Sequence, residues 1–138
     1  MKKSKLIRDV SNYLFKVINE RAIAADIPLL RAIETGQTAS AEFCQAYPCL
    51  FLACKSRELS TFWTRYDLTL GIAITGTTPQ QAEEMGDAYE DILEDIYRED
   101  CHLGGLIIDI VDSTTISGSE INQCWFVYSE LSIEVDNE

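Results

Sequence analysis

Residues 61–75, TFWTRYDLTLGIAIT, decide the fold, because apolar and polar side chains alternate along them with the period of two that a β-strand requires. One face carries the mostly apolar residues Phe62, Thr64, Tyr66, Leu68, Leu70, Ile72 and Ile74. The other face carries Trp63, Arg65, Asp67, Thr69, Gly71, Ala73 and Thr75. The pattern predicts a long strand with one face against a core, paired in an antiparallel hairpin with a strand over residues 48–55.

A strong helix start follows this strand. Thr78 suits the N-cap, Pro79 the first helical position, and Gln81 can close a capping box. The helix is predicted to run to about residue 100, before the glycine pair Gly104-Gly105. Its apolar stripe is predicted to be buried and consists of Ala82, Met85, Tyr89, Ile92, Leu93 and Ile96.

The remaining segments complete an α+β domain. Residues 4–25 have the apolar spacing of an amphipathic helix, residues 105–112 and 122–135 read as strands, and residues 113–120 as a turn-rich loop. The order αββαββ predicts a four-stranded, mostly antiparallel sheet with two main helices packed on one face.

The chain is interpreted as one domain over residues 1–138. Within it, an N-terminal helix occupies residues 1–26, a loop residues 27–46, and the sheet with the second helix residues 47–138. A chain of 138 residues is long enough to bury a core without metal or disulfide support.

The net charge of −12 argues against a protein that binds nucleic-acid phosphates, since such proteins gather Lys and Arg. It is compatible with a protein past which DNA slides without binding. The apolar run at residues 50–54 is far shorter than the roughly 20 residues of a membrane-spanning helix. A cytoplasmic protein without membrane contact is therefore expected.

Catalytic and cofactor motifs are missing from the sequence. The five cysteines contain no CxxC pair, and the spacing of Cys44, Cys49 and Cys54 fits no zinc motif, so reduced, mostly buried thiols are expected. The single histidine, His102, follows Cys101 directly, and adjacent side chains rarely converge as a catalytic pair. We expect no enzyme and no cofactor.

The outward face of the predicted sheet is not uniformly polar. The apolar and aromatic residues that fall on it are Trp63, Ile107, Val111, Phe126 and Tyr128. Exposed apolar patches of this kind mark contacts with another chain, so these residues are candidates for a subunit interface. Two alternatives remain open. A bulge in the last strand would turn Phe126 inward and Trp125 outward, or the long loop would cover the patch.

The second helix is densely acidic on one side. Steps of four residues place these carboxylates on one face: Glu83, Asp87, Asp91 and Asp95. A solvated face explains them, whereas a carboxylate metal site in a helix bundle would use Glu-x-x-His pairs, which the chain lacks. A third interpretation is contact with the basic start of a neighbouring copy, formed by Lys2, Lys3, Lys5 and Arg8.

In the order of its segments the chain resembles the tail terminator, or tail-completion, proteins of long-tailed bacteriophages. After the N-terminal helix and loop, the likeness runs through YPCLF at residues 47–51, WTRYDLTL at 63–70, TTPQQA at 77–82, LEDI at 93–96 and GLIID at 105–109. It covers almost the whole chain and rests on pattern rather than on invariant residues.

The resemblance implies an α+β subunit of a ring, commonly a hexamer, that caps the tail tube and joins it to the head. Tail tube and head-connector proteins are then its partners, and DNA passes through the ring without specific binding. It implies host cytoplasm during assembly and the virion afterwards, and it carries over no functional residue. The alternative is a small cellular ligand- or protein-binding domain of ferredoxin-like type.

Overall fold

The computed structural model describes residues 3–35, 46–75, 78–121 and 124–137, with only the backbone at 115–121 and 124. In chain order the elements are α1 (Lys3–Ala25), β1 (Ala32–Thr35), β2 (Cys49–Leu59), β3 (Trp63–Ile74), α2 (Pro79–Glu99), β4 (Asp109–Ile121) and β5 (Cys124–Asp136). The predicted α+β class is confirmed.

The strands form one five-stranded sheet in the order β1-β2-β3-β5-β4. All neighbours are antiparallel except β1, which pairs parallel to β2 through Ala32 and Cys49. The predicted count of four strands was wrong, because β1 lies within the expected loop over residues 27–46. Its four residues are too few to show an alternation.

Two predicted strand boundaries were also wrong. Strand β2 continues to Leu59, since a bulge between Cys54 and Ser56 carries the pairing through the polar segment that looked like a connection. Strand β4 begins at Asp109 rather than at residue 105 and runs through the expected loop at 113–120. It pairs with β5 alone among the described strands, and an edge strand tolerates the polar residues and the two register shifts found there.

The start of α2 agrees with the sequence prediction. Thr78 Oγ1 accepts a hydrogen bond from the Gln81 amide at 3.3 Å, and Gln81 Oε1 accepts from the Thr78 amide at 3.4 Å. This capping box, with Pro79 following the cap, is confirmed. After α2, Leu103, Gly104 and Gly105 adopt positive φ, and this turn delays the start of β4.

Both helices pack on the same face of the sheet, here called the inner face. The main core joins the inner residues of β3 to side chains of α1 and α2, including Val10, Leu14, Tyr89, Leu93 and Ile96. No helix among the described residues is both long and apolar enough to cross a bilayer.

The helices run antiparallel, as their contacts show. Arg21 of α1 pairs with Glu99 near the end of α2 at 2.5 Å, and the Tyr13 hydroxyl bonds Asp100. The Tyr89 hydroxyl of α2 donates to the Pro28 carbonyl, just beyond the end of α1. The middle of α1 therefore lies beside the end of α2.

The cysteines differ from the expectation of uniformly reduced thiols. Cys54 is a buried free thiol and Cys101 a half-buried one. Cys49, however, is disulfide-bonded, so the expectation was wrong for this residue.

Candidate functional site: the outer sheet face and the ends of the domain

The outer face carries a small aromatic cluster at one end. Phe51, Gly71 and Tyr128 lie side by side across β2, β3 and β5, and Ala73 pairs with Phe126 in the next row. Phe126 stacks on Tyr128 with ring centroids 5.5 Å apart, and Phe51 meets Tyr128 edge-on at 6.2 Å. The cluster is a second, smaller core on the outer side.

The structure decides between the sequence alternatives for the last strand. Phe126 and Tyr128 face outward, whereas Trp125 packs against the main core, so the bulge that would reverse them was the wrong alternative. Phe126 is only 5% exposed, however, and Tyr128 is half-buried. Phe126 therefore contributes little accessible surface to an interface.

Trp63 lies on the same face but far from this cluster. It is half-buried, and the Arg65 guanidinium carbon lies 5.2 Å from its ring centroid, a cation–π contact. Ten residues of β3 separate Trp63 from Ala73, a distance of about 33 Å at about 3.3 Å per residue. The predicted patch is thus not one continuous surface.

Two residues of the predicted patch lie elsewhere. Ile107 is 6% exposed and belongs to the main core, because the turn after α2 reaches past it before β4 begins. Its placement on the outer face was wrong. Val111 is exposed, but it lies at the bulge between Ile110 and Asp112 and lines a cleft beside α2.

The side chains in the middle of the outer face are polar and form hydrogen bonds and an ion pair with one another. Asp67 accepts hydrogen bonds from Ser132 at 2.5 Å and from Ser56 at 2.8 Å, and these bonds hold the pKa of its carboxyl below the usual range. Lys55 pairs with Glu130 at 3.0 Å. These groups line a groove of about 250 Å³.

A larger cleft of about 460 Å³ lies between the end of α2 and the start of β4. Its lining combines charged and apolar side chains, among them Glu94, Tyr97, Arg98, Val111 and Asp112. The Tyr97 hydroxyl accepts a hydrogen bond from the Ser129 hydroxyl at 2.9 Å, and burial raises the pKa of this phenol. Tyr97 therefore lines the cleft as a buried, hydrogen-bonded residue with a structural role.

The acidic face of α2 is open to solvent. Glu83, Asp87 and Asp91 are exposed, while Asp95 is half-buried and pairs with Arg98 at 3.6 Å. Within the described part of the chain, no three His, Cys, Asp or Glu side chains are placed to hold a metal ion.

The basic start of α1 is also accessible. Lys5 is exposed and pairs with Asp9 at 2.8 Å, Arg8 is exposed, and Lys3 is half-buried. Lys2 lies outside the described residues. Because the helices are antiparallel, these cations lie far from Glu83 at the start of α2.

His102 has a structural role. Its Nδ1 atom donates a hydrogen bond to the Ile108 carbonyl oxygen at 2.6 Å and closes the turn between α2 and β4. The neighbouring Cys101 is half-buried and free.

The sequence analysis missed the tip of the β2–β3 hairpin. Leu59 and Phe62 are 67% and 77% exposed, although the alternation had placed Phe62 on the core side. Asn137 forms hydrogen bonds with the main-chain carbonyl groups of this tip. Its main-chain N–H donates to Phe62 O at 3.2 Å, and its side-chain amide donates to Ser60 O at 2.7 Å and to Trp63 O at 3.0 Å. The large apolar side chain of Phe62 was the one signal in the sequence that could have indicated a surface at this tip.

Replacing Asn137 by alanine is expected to loosen this tip. The change removes the two bonds that its side-chain amide donates and the bond it accepts from Thr64, which together stabilise the fold by about 1–2 kcal/mol. Hydrogen exchange should accelerate at residues 60–64. The control is Asp136→Ala at the exposed neighbouring position. Equal exchange rates at residues 60–64 in both variants would show that the Asn137 side chain does not hold the tip.

Comparison of the sequence with protein-family models finds no match, and comparison with curated proteins finds none either. Function is therefore inferred from the fold, the surface charges and the resemblance in segment order.

Proposed function

We propose that this chain is a structural subunit of a phage or prophage tail. In this proposal, copies assemble into a ring that caps the tail tube and joins it to the head. Assembly takes place in the host cytoplasm, and the ring then remains in the virion. The partners are other copies of the chain, the tail tube protein and the head connector.

One observation carries this proposal: the exposed charges of the helical layer are segregated. Lys5 and Arg8 lie at the start of α1, while Glu83 and Asp91 lie on α2, which runs in the opposite direction. With 23 residues, α1 is about 34 Å long. A basic surface at the start of α1 and an acidic surface along α2 favour a contact in which the first surface of one copy meets the second surface of the next.

A contact of this kind is heterologous, because two different surfaces meet. Repeated by rotation, it closes into a ring, and the family resemblance favours six subunits. The net charge of −12 supports a central passage through which DNA moves without specific binding.

A second candidate is a small-ligand-binding domain. The cleft beside α2 supports it, since its volume of about 460 Å³ falls within the roughly 300–1,000 Å³ of ligand sites. The ferredoxin-like type is not supported, because that fold has the order βαββαβ whereas this chain has αβββαββ.

The ring should depend on ionic strength. Light scattering, native mass spectrometry and negative-stain electron microscopy are expected to show a ring at about 0.1 M salt, where the Debye length is about 10 Å, and smaller species at about 1 M, where it is about 3 Å. Charge reversal by Lys5→Glu with Arg8→Glu should lower the association constant between neighbouring copies at least about tenfold, a loss of about 1.4 kcal/mol.

Lys16→Glu is the matched control, since Lys16 is also exposed on α1 but lies away from its start. A wild-type chain that remains a monomer at millimolar concentration and binds no tail tube would contradict the proposal. A saturable small-molecule partner in the α2–β4 cleft would favour the second candidate.

A further inference from the structure

Cys49, the first residue of β2, forms a disulfide bond with one of the other four cysteines of the chain. Cys54 and Cys101 are free thiols. The partner is therefore Cys44 or Cys124. Residue 44 and the side chain of residue 124 lie outside the described residues, and the register of the described strands decides between them.

Cys124 lies on the far side of β3 from Cys49. Cys49 pairs with Ala73 of β3, and Ala73 pairs with Phe126 of β5. Two strand spacings of about 4.8 Å therefore separate Cys49 from Phe126, and Cys124 is two residues further along β5. Its Cα atom lies at least about 10 Å from that of Cys49, whereas a disulfide joins Cα atoms about 4.4–6.8 Å apart. The sheet register excludes Cys124.

Cys44 is close to Cys49 along the chain. Only four residues separate them, so their Cα atoms lie at most about 18 Å apart even in a fully extended chain. The chain bends at residues 46–48, just before β2 begins, and a bend brings the two residues closer. Cys44 is therefore the cysteine that can reach Cys49.

The disulfide lies on the outer face of the sheet, at the edge formed by β1. Side chains alternate along β2, and since Leu50 belongs to the main core, Cys49 shares the outer face with Phe51. Cys49 has no exposed surface, and neither has its neighbour Ala73. Cys49 also pairs with Ala32 of β1, so the bond is placed where the edge strand joins the sheet.

We propose that Cys44 and Cys49 form a disulfide that fastens β1 to the sheet. Strand β1 has only four residues, and Arg31 just before it donates its amide hydrogen bond to the Pro48 carbonyl at 2.7 Å. Pro48 lies within the loop that the disulfide closes, so the bond holds the acceptor of this hydrogen bond in place. The inference concerns the chain itself and does not depend on the proposed ring.

The bond makes the β1 edge sensitive to the redox state of the surroundings. When it forms, the two thiols lose two protons and two electrons, and a small-molecule disulfide such as oxidised glutathione accepts them and is cleaved to two thiols. A reducing cytoplasm keeps cysteines as thiols, whereas oxidising surroundings retain the bond. The edge is therefore fastened in an oxidising environment and loosened in a reducing one.

Tryptic digestion without a reductant distinguishes the two partners. Trypsin leaves Cys44 and Cys49 together in the peptide of residues 32–55 and Cys124 in the peptide of residues 99–138. After treatment of the folded chain with oxidised glutathione, mass spectrometry should find the first peptide unlinked and lighter by two hydrogen atoms than after reduction. A disulfide that links the two peptides would overturn the pairing.

Two serine variants test the same pairing by the number of free thiols. N-ethylmaleimide, added to the oxidised and then unfolded chain, should label three thiols in the wild type and four in Cys44→Ser, which has lost the bond. Cys124→Ser is the matched control and should retain the bond, with two labelled thiols. Intact masses verify that no glutathione is attached. Two labelled thiols in Cys44→Ser would mean that Cys49 has another partner.

Hydrogen exchange tests whether the bond fastens β1. Amides at residues 32–35 should lose protection when the wild type is reduced, whereas the tip at residues 60–64, at the other end of β2, should exchange at the same rate in both forms. Equal exchange at residues 32–35 before and after reduction would overturn the fastening. A wild type with five labelled thiols after oxidation would overturn the bond itself.

Discussion

Replacing Leu93 by alanine is expected to lower the free energy of unfolding by about 2–5 kcal/mol. Leu93 has no exposed surface and lies in the main core on the face of α2 that packs against the sheet. Truncation removes apolar contacts and leaves a cavity that the neighbouring side chains fill only in part. Urea denaturation followed by circular dichroism measures the loss.

The adjacent exposed residue provides the matched control. Glu94→Ala lies on the same helix turn but outside the core, so the free energy of unfolding should change by no more than about 0.5 kcal/mol. A loss below about 1 kcal/mol for Leu93→Ala would mean that α2 does not pack on the sheet as described.

Gly71→Ala is expected to destabilise the domain by about 1–3 kcal/mol. A Cβ atom at this position would lie 2.0 Å from Cζ of Phe51, so the aromatic ring must move. Phe51 is almost fully buried against Tyr128, and its displacement disturbs the cluster on the outer face. Glycine is thus required here by the close approach of a side chain.

A double-mutant cycle separates this steric effect from strand propensity. In the Phe51→Ala background the ring is absent, and Gly71→Ala should then be neutral or stabilising by about 0.5–1 kcal/mol, because glycine weakens a strand. The coupling between the two sites, the difference between these two effects, should be at least about 1 kcal/mol. Additive effects of the two substitutions would show that the ring does not cover Gly71.

The parts of the fold that the sequence predicts are those set by local signals. The alternation in β3 and the Thr78 capping box depend on side chains a few residues apart, and both appear in the structure. Strand β1 was missed because its pairing with β2 involves a distant segment and only four residues. Ile107 was misplaced because Leu103, Gly104 and Gly105 extend the turn before β4.

In the candidate surfaces, too, local sequence patterns predict some features, while others depend on tertiary contacts. Helical spacing placed the acidic residues of α2 on one side, and strand alternation placed Phe126 on the outer face. Burial of Phe126 depends on tertiary packing, which alternation does not report. Exposure of Phe62 likewise depends on where the strand ends, and Asn137 fixes that turn from a distance in sequence.

The hydrogen bonds from Asn137 to the β2–β3 turn have a consequence for when this turn can form during synthesis. The bond from its side chain to the Trp63 carbonyl spans 74 positions of the chain. A ribosome must therefore translate those further residues before Asn137 can fasten the turn at residues 60–63. Until Asn137 has been synthesised, the turn lacks the hydrogen bonds that this residue makes to Ser60, Phe62 and Trp63.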